Sequence, residues 1–142
     1  MNKRDMTKFD KFVEAICALL LLVSISLQVV FCVIHSLSIF SLVINILIIV
    51  LIYMGLSILS CYPERVNAIP AEICLGNIRR YSIKMIRYAK FIFIASLVVP
   101  EVCDLLEYNL GQWYSFVVVV AILAEIIFYE VKIIKLIHLI KK

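Results

Sequence analysis

The chain has 142 residues, 65% of them hydrophobic, and its mean hydropathy is +1.10. A soluble domain is nearer half apolar, so this composition excludes an ordinary soluble protein and indicates that a lipid bilayer is the solvent. The formal net charge of +4 comes from basic residues at the ends of apolar runs, which is typical of a membrane-orientation signal and not of a nucleic-acid-binding surface.

The first two apolar runs predict transmembrane helices at residues 12–34 and 39–59, within a single membrane domain that covers residues 1–142. One helix through both runs would be about twice the hydrocarbon thickness, at about 1.5 Å per residue. The polar break near the middle is the segment 35–38. We therefore expect a tight turn there between two antiparallel spans.

A loop is predicted at residues 60–82, because this segment contains the breaker residues Pro63, Pro70 and Gly76. Pro70, with Glu72 behind it, is suited to the first turn of a short helix. The end of the loop and the start of the next span carry a cytoplasmic basic segment. Its members are Arg79, Arg80, Lys84, Arg87 and Lys90.

The third span is predicted at residues 83–106. Only ten uncharged residues separate Lys90 from Glu101, too few to cross a bilayer. The span must therefore begin before Lys90, and its basic side chains are expected to extend toward the cytoplasmic headgroups. Pro100 is expected to kink this helix.

The fourth span is predicted at residues 113–137, with Trp113 at the outer interface, where amphipathic rings prefer to lie. Four crossings place all fourteen Lys and Arg residues on one side of the membrane, and positive charge marks the cytoplasmic side. We therefore expect an all-α, polytopic bundle of four transmembrane helices in the cell membrane, with both termini cytoplasmic. The three basic clusters are Lys3, Arg4, Lys8, Lys11; Arg65, Arg79, Arg80, Lys84, Arg87, Lys90; and Lys132, Lys135, Lys141, Lys142.

Polar residues recur along one face of the first span at helical spacing. We expect this face to line the bundle interior, and a polar conduit is the alternative. Gln28 and Asn45 fall at similar depths on neighbouring antiparallel helices, which predicts an interhelical amide pair. Ser24 and Ser96 fall near the middle of the membrane. The residues of the face are Glu14, Cys17, Ser24, Gln28, Cys32 and His35.

Glu125 is the strongest single candidate for a functional side chain, because it falls near the membrane midplane on the fourth span. An ionised carboxyl group is costly there, so we expect it to be neutral or paired, with Lys90 as the nearest cation. It is either a structural residue or a carboxyl group that couples transport to a proton or another cation. Glu130 falls closer to the level of Arg87 and Lys90, and an ion pair is expected there.

Glu101, Asp104 and Glu107 form an acidic patch at the outer end of the third span. We expect a solvated helix end, and the alternative is a site that attracts cations or a basic partner. Glu101 falls deeper in the membrane than the other two.

No motif indicates catalysis or the binding of a metal or cofactor. The five cysteines include no C-x-x-C pair. Cys32 and Cys103 both fall near the outer side, and small apolar packing is a better expectation for them than a disulfide. His35 and His138 fall on opposite sides of the membrane and cannot share a metal. We therefore expect no enzyme activity, no cofactor and no metal.

The layout resembles that of a bacterial family of small four-helix membrane proteins, the YoaS-like group. The similarity lies in two N-terminal spans, a cytoplasmic loop with Pro70-Ala71-Glu72 leading to Asn77-Ile78-Arg79-Arg80, and Ala124-Glu125 in the last span. The resemblance implies a four-span fold and supplies no settled activity.

These features favour a non-enzymatic integral membrane protein that acts through a protein partner, in an accessory, regulatory or toxin-immunity role. The expected partners are the lipid bilayer and another membrane protein or a second copy of the chain, and no nucleic acid is expected. The alternative is a small oligomeric transporter or channel, in which Glu125 and the layer of Gln28 and Asn45 line the route.

Overall fold

The computed structural model describes residues 8–66, 69–70 and 72–140, and helix is the regular secondary structure found there, without any strand. The five helices are α1 (Lys8–Ile34), α2 (Ile39–Leu59), α3 (Pro63–Val66), α4 (Gly76–Leu105) and α5 (Trp113–Ile140). The predicted all-α class is confirmed. Two of these helices, α1 and α2, are long and apolar enough to cross a membrane by length and composition.

Helix boundaries match the predicted span at 39–59 and extend beyond the other predictions, most of all in α4, which begins at Gly76. A span prediction covers only what fits the hydrocarbon layer, whereas a helix continues while its backbone hydrogen bonds remain favourable. The φ angle of Gly76 is +54°, a left-handed conformation that glycine adopts without steric cost. The chain can therefore turn at this residue and enter α4, which continues through Pro100.

The short helix expected at Pro70 is not formed in the described residues. The N–H groups of Ile73 and Cys74 donate to Pro70 O at 2.9 and 3.0 Å, which closes a single turn that does not propagate. The short helix of this connection is α3 instead, and it has Pro63 at its first position. Proline is favoured there because its missing N–H would be unpaired in any case.

α4 is the central helix, packed mainly against α1 and α5, with smaller contacts to α2 and α3. α1 runs parallel to α4, because Glu14 pairs with Lys90 while Gln28 pairs with Glu101. α2 runs antiparallel to both, and Ser57 near its end also reaches Lys90.

α5 runs antiparallel to α4. Tyr114, near the start of α5, donates a hydrogen bond to Ser96 O at 2.8 Å. Further along, Tyr129 stacks on Tyr88 with ring centroids 5.9 Å apart. α4 and α5 therefore form a hairpin, as α1 and α2 do.

The connections 35–38 and 106–112 lie at the same end of the bundle, because α1 and α4 are parallel and both end there. We call this end the turn end and the opposite one the basic end. Members of all three basic clusters lie between the basic end and the middle of the bundle, although they are distant in sequence. Those in the described residues are Lys8, Lys11, Arg65, Arg79, Arg80, Lys84, Arg87, Lys90, Lys132 and Lys135.

A small apolar cluster closes the basic end. Ile69 and Cys74 of the connecting segment pack with Ile78 of α4 and Ile133 of α5. Burial is the main factor that raises the pKa of the Cys74 thiol, so near neutral pH this group packs as a small uncharged side chain. The cluster fixes the connecting segment against the α4–α5 hairpin.

α1 and α4 end in the same way at the turn end. After each helix one residue has a left-handed backbone, Ser36 with φ +50° and Glu107 with φ +55°. Leu37 N then donates to Cys32 O at 3.1 Å, and the equivalent bond after α4 measures 2.9 Å. This is the Schellman arrangement, which satisfies carbonyl groups that a helix end leaves unpaired.

Candidate functional site

Two ion pairs join α1 to α4 inside the bundle. Lys90 Nζ donates a hydrogen bond to Glu14 Oε1. About one turn nearer the basic end, Arg87 Nη1 lies 3.9 Å from Asp10 Oδ2. The two acids are spaced i, i+4 and the two bases i, i+3, so each set shares one face of its helix. Parallel packing then brings the two faces together.

Lys90 is almost fully enclosed, with 1% of its surface exposed. Its Nζ also donates to Ser57 Oγ at 3.2 Å and lies 4.6 Å from the centroid of the Tyr53 ring. A buried ammonium group needs such partners, because an unpaired buried charge is strongly destabilising. Three helices, α1, α2 and α4, therefore meet at one side chain.

The prediction that Arg87 and Lys90 extend outward to the headgroups is wrong. They are 3% and 1% exposed and face α1, because the acids of α1 lie at the same level. Glu14 is hydrogen-bonded to Lys90, whereas Arg87 Nη1 is 3.9 Å from Asp10 and, like Arg87 Nε, is buried without a hydrogen-bond partner in the described residues. The predicted pairs of Glu130 with these bases and of Glu125 with Lys90 are not formed. Both acids lie on α5, away from the face that the bases use.

In the turn half of the bundle, Glu101 joins α4 to α1. Its Oε1 accepts hydrogen bonds from Ser24 Oγ and Gln28 Nε2, both at 2.7 Å. The predicted amide pair of Gln28 with Asn45 is not formed, and Asn45 is exposed. The two amides do not pair because α1 is rotated about its axis so that its polar face points toward α4 and not toward α2.

A cavity of about 230 Å³ lies beside Glu101, between the turn ends of α1, α2 and α4. Two oxygens, Gln28 Oε1 and Glu101 Oε2, are buried without a hydrogen-bond partner among the described residues. The lining residues are Leu27, Gln28, Phe31, Cys32, Leu37, Ser38, Ser41, Leu42, Asn45, Glu101 and Asp104. We call this space the turn-end cavity, and it contains two acids and no Lys or Arg.

An apolar layer separates the Lys90 site from the Glu101 site. Cys17 of α1 and Ile94 of α4 lie at a level between the two sites, and both are 0% exposed. From Lys90 to Glu101 the axis of α4 rises about 16 Å. Of the predicted polar face, Cys17, Ser24 and Cys32 are buried and Glu14 and Gln28 contact α4, whereas His35 is exposed. The polar contacts of this face with α4 are interrupted.

Glu125 lies on the face of α5 that packs against α4. Tyr129, about one turn along α5, stacks on Tyr88. Both carboxyl oxygens of Glu125 are buried without a hydrogen-bond partner among the described residues. Burying an unpaired carboxylate is costly, so this position accommodates an uncharged acid better than an ion.

Ser96 does not meet Ser24, although the two fall at similar depth. Ser96 Oγ donates to Phe93 O at 2.7 Å within α4, and its carbonyl accepts from Tyr114 of α5. Ser96 therefore belongs to the contact between α4 and α5.

The basic segment predicted around the end of the loop belongs entirely to α4. Arg79 Nη1 lies 3.9 Å from Glu64 Oε2 near the basic end, Arg80 is exposed and Lys84 is half-buried. Only Arg87 and Lys90 of this segment enter the bundle.

The predicted acidic patch is also divided by the fold. Glu101 is partly enclosed and hydrogen-bonded to α1, Asp104 is exposed at the edge of the turn-end cavity, and Glu107 is exposed after α4. Only Asp104 and Glu107 therefore form the expected solvated helix end.

The cysteines and histidines form no shared site in the described residues. All five cysteines are free thiols, and Cys32 Sγ donates to Leu37 O at 3.5 Å. No group of three or more His, Cys, Asp or Glu side chains in the described part of the chain is placed to hold a metal ion.

The sequence did not predict the pairing of Asp10 with Arg87 or the positions of Ser57 and Tyr53 around Lys90. One signal in the sequence could have found the ion pairs, since two acids and two bases occur at matching helical spacing on the first and third spans. Alternate spans of an up-and-down bundle are parallel, so this matching spacing favours pairing between them.

Comparison of the chain with protein-family models, with curated proteins and with solved structures finds no match. Any assignment of function therefore depends on the geometry described above.

Replacement of Glu14 by Leu should lower the free energy of unfolding by about 3–5 kcal/mol, because the buried Lys90 ammonium then lacks its carboxylate. The double variant Glu14→Leu, Lys90→Met removes both charges and should lose much less than the sum of the single variants. Unfolding by a denaturing detergent in mixed micelles measures these energies. The control is Glu64→Leu with Arg79→Met. The two acids are similarly exposed, but Arg79 is 32% exposed whereas Lys90 is 1% exposed, so the control pair should couple by at most about 1 kcal/mol. Equal coupling in both cycles would contradict the assignment.

Gln28 should couple to Glu101 and not to Asn45. In double-mutant cycles with Leu replacements, the Gln28–Glu101 pair should show a coupling energy of about 1.5–3 kcal/mol, as expected for a hydrogen bond to a charged group. The cycle of Gln28 with Asn45 should be additive within about 0.5 kcal/mol. A larger coupling to Asn45 than to Glu101 would mean that α1 presents its amide to α2.

Proposed function

We propose that the chain is an integral membrane protein of four spans, with both termini in the cytoplasm, that acts by binding another membrane protein. The role is accessory, regulatory or that of immunity against a membrane-acting toxin, and it requires no chemistry by the chain itself. The main observation in favour of the proposal is that the other helices of the bundle bury little of the surface of α2 and α5.

In these two fully described helices, burial is limited to Ile49 of α2 and Ile133 of α5. Lipid can cover the remaining apolar surface, and a helix of another protein can replace that lipid. In a bilayer, helices associate through close packing and not through removal of apolar surface from water. An apolar helix face that lipid already covers can therefore still bind another helix.

Four spans are supported by length and by charge pairing. α4 and α5 contain 30 and 28 residues, which correspond to about 45 and 42 Å, against a hydrocarbon thickness of about 30 Å. The bases of α4 that would enter lipid, Arg87 and Lys90, are paired inside the bundle. Cytoplasmic placement of the basic end then follows from the positive-inside rule.

The interior favours binding over conduction. A conduit needs polar groups or water along its length, and the layer of Cys17 and Ile94 interrupts the polar contacts between α1 and α4. The resemblance to the YoaS-like group agrees with the four-span layout that we propose and adds no activity to it.

A small oligomeric transporter or channel is the second candidate, and Glu125 is the observation in its favour. Its carboxyl oxygens are buried and without a partner in the described residues, and intramembrane acids of this kind carry protons or cations in many transporters. In that case a second copy of the chain would complete the route.

Cysteine-accessibility labelling should place Asn77 and His138 on the cytoplasmic side and Ser36 and Asn109 on the outer side, because all four are exposed near opposite ends of the bundle. Each position is replaced by Cys in a background whose five native cysteines are changed to Ala. Membrane-impermeant maleimide is then applied to intact cells and to inverted vesicles. Labelling of position 77 from outside would overturn the proposed topology.

Photo-crosslinking in native membranes tests the partner. A benzophenone side chain at Val43, Leu47 or Leu51, all more than half exposed on α2, should give one adduct of defined mass. The control position is Ile49, which is 7% exposed and should give none.

The variant Glu125→Gln should retain the adduct and normal membrane levels, because the amide keeps the shape of the side chain without a titratable group.

Two results would reject this function. If all three positions gave only lipid adducts, no protein partner would contact α2, and the proposed function would be rejected. A folded Glu125→Gln protein that loses a proton-dependent flux seen with wild-type vesicles would establish the transporter instead.

A further inference from the structure

Among the described residues, no Lys or Arg lines the turn-end cavity to balance its acids. No Lys or Arg occurs between Lys11 and Arg65 or between Lys90 and Lys132, and these two stretches contribute every residue of the lining. The nearest weak base is His35, whose ring is tilted against Phe31 with centroids 4.2 Å apart and which is not part of the lining. Charge balance at Glu101, the enclosed acid of the two, comes from a proton or from a bound cation, whereas Asp104 is exposed.

The cavity is also rich in hydrogen-bond acceptors. Glu101 Oε1 already accepts from Ser24 and Gln28, but Glu101 Oε2 and Gln28 Oε1 are buried without a partner in the described residues. Native structures leave few buried acceptors without a hydrogen bond, so each of these oxygens is expected to accept one from a donor. Asn45 adds a further amide oxygen to the same space.

Apart from these groups, the thiol of Cys32 and the hydroxyl groups of Ser38 and Ser41, the lining is apolar and limits the kind of cation. Leu27, Phe31, Leu37 and Leu42 contribute hydrocarbon and an aromatic ring, which suit an alkyl chain and not a hydrated metal ion. A divalent metal needs six or more oxygen ligands or a cluster of His, Cys and acids, and no such cluster is present in the described residues. A volume of about 230 Å³ also exceeds the roughly 30 Å³ share of one water molecule.

We propose that the turn-end cavity binds a primary ammonium group carried on a short alkyl chain. The three N–H donors of the ammonium group match Glu101 Oε2, Gln28 Oε1 and an oxygen of Asn45 or Asp104. The alkyl chain lies against the leucines and Phe31. The same chemistry is presented by a small organic amine and by the side chain of a lysine from a protein partner. The inference does not depend on the proposed function, because the purified chain alone should bind the group.

The test uses n-butylammonium with the purified full-length protein in detergent, by isothermal titration and by thermal melting. Saturable binding and a raised melting temperature are expected. 1-Butanol, which has the same chain length without the charge, and sodium chloride at equal ionic strength should give neither. Absence of saturable binding to wild type, or equal binding of butanol, would overturn the proposal.

Matched variants locate the site. Glu101→Gln keeps an oxygen that can accept from Ser24 and should weaken n-butylammonium binding by about tenfold or more, the loss expected for a charged hydrogen bond. Glu107→Gln removes the same charge from an exposed residue outside the lining and should change binding by less than about twofold. Asp104→Asn and Asn45→Leu provide the same test if Glu101→Gln does not fold. Unchanged binding in the folded cavity variants would also overturn the proposal.

Photo-crosslinking in native membranes distinguishes the two possible sources of the ammonium group. A photo-crosslinking side chain at Ser41, which lines the cavity, should give a protein adduct if a partner lysine is the natural occupant. That adduct should be lost with n-butylammonium and with Glu101→Gln. Binding of n-butylammonium to the purified protein without such an adduct would assign the cavity to a free amine.

Discussion

Burial of the Lys90 ammonium group is the constraint on which the rest of this structure depends. The group requires an acid, a hydroxyl and an aromatic ring, and Glu14, Ser57 and Tyr53 supply them from two different helices. Because a buried charge that loses its partner is strongly destabilising, α1 and α2 cannot slide or rotate freely against α4. One side chain thereby sets the register of three helices.

The register fixed at Lys90 also determines the contacts in the turn half. α1 and α4 are parallel, so the offset that pairs Glu14 with Lys90 places Ser24 and Gln28 against Glu101. Between the two polar levels, the helices close on apolar side chains. The polar contacts between α1 and α4 are therefore interrupted in the middle of the bundle, and a cavity lies beside Glu101.

The α5 helix is outside this charge network, and the two candidate functions differ in what they ask of it. Its contact with α4 uses stacked tyrosines, the Lys132 ammonium group 5.6 Å from the centroid of the Tyr81 ring, and the enclosed carboxyl group of Glu125. A protein that acts through a partner can offer the uncovered faces of α2 and α5 to that partner. A transporter would instead need Glu125 to reach a polar route that this single chain does not provide in its described residues.

The sequence by itself determined the four long helices, because long apolar runs and polar breaks depend only on the local chain and on the thickness of a bilayer, but not the start of α4 or the position of the short helix α3. It also identified Glu101, Gln28 and Ser24 as polar groups at unfavourable depth, whereas Lys90 was expected at the headgroups and is buried instead. Which of these groups meet was decided only by the tertiary structure. Depth along a helix is one coordinate, whereas a contact also needs the rotation of each helix and the identity of its neighbour. Those are set by packing around α4, and so Gln28 pairs with Glu101 and not with Asn45.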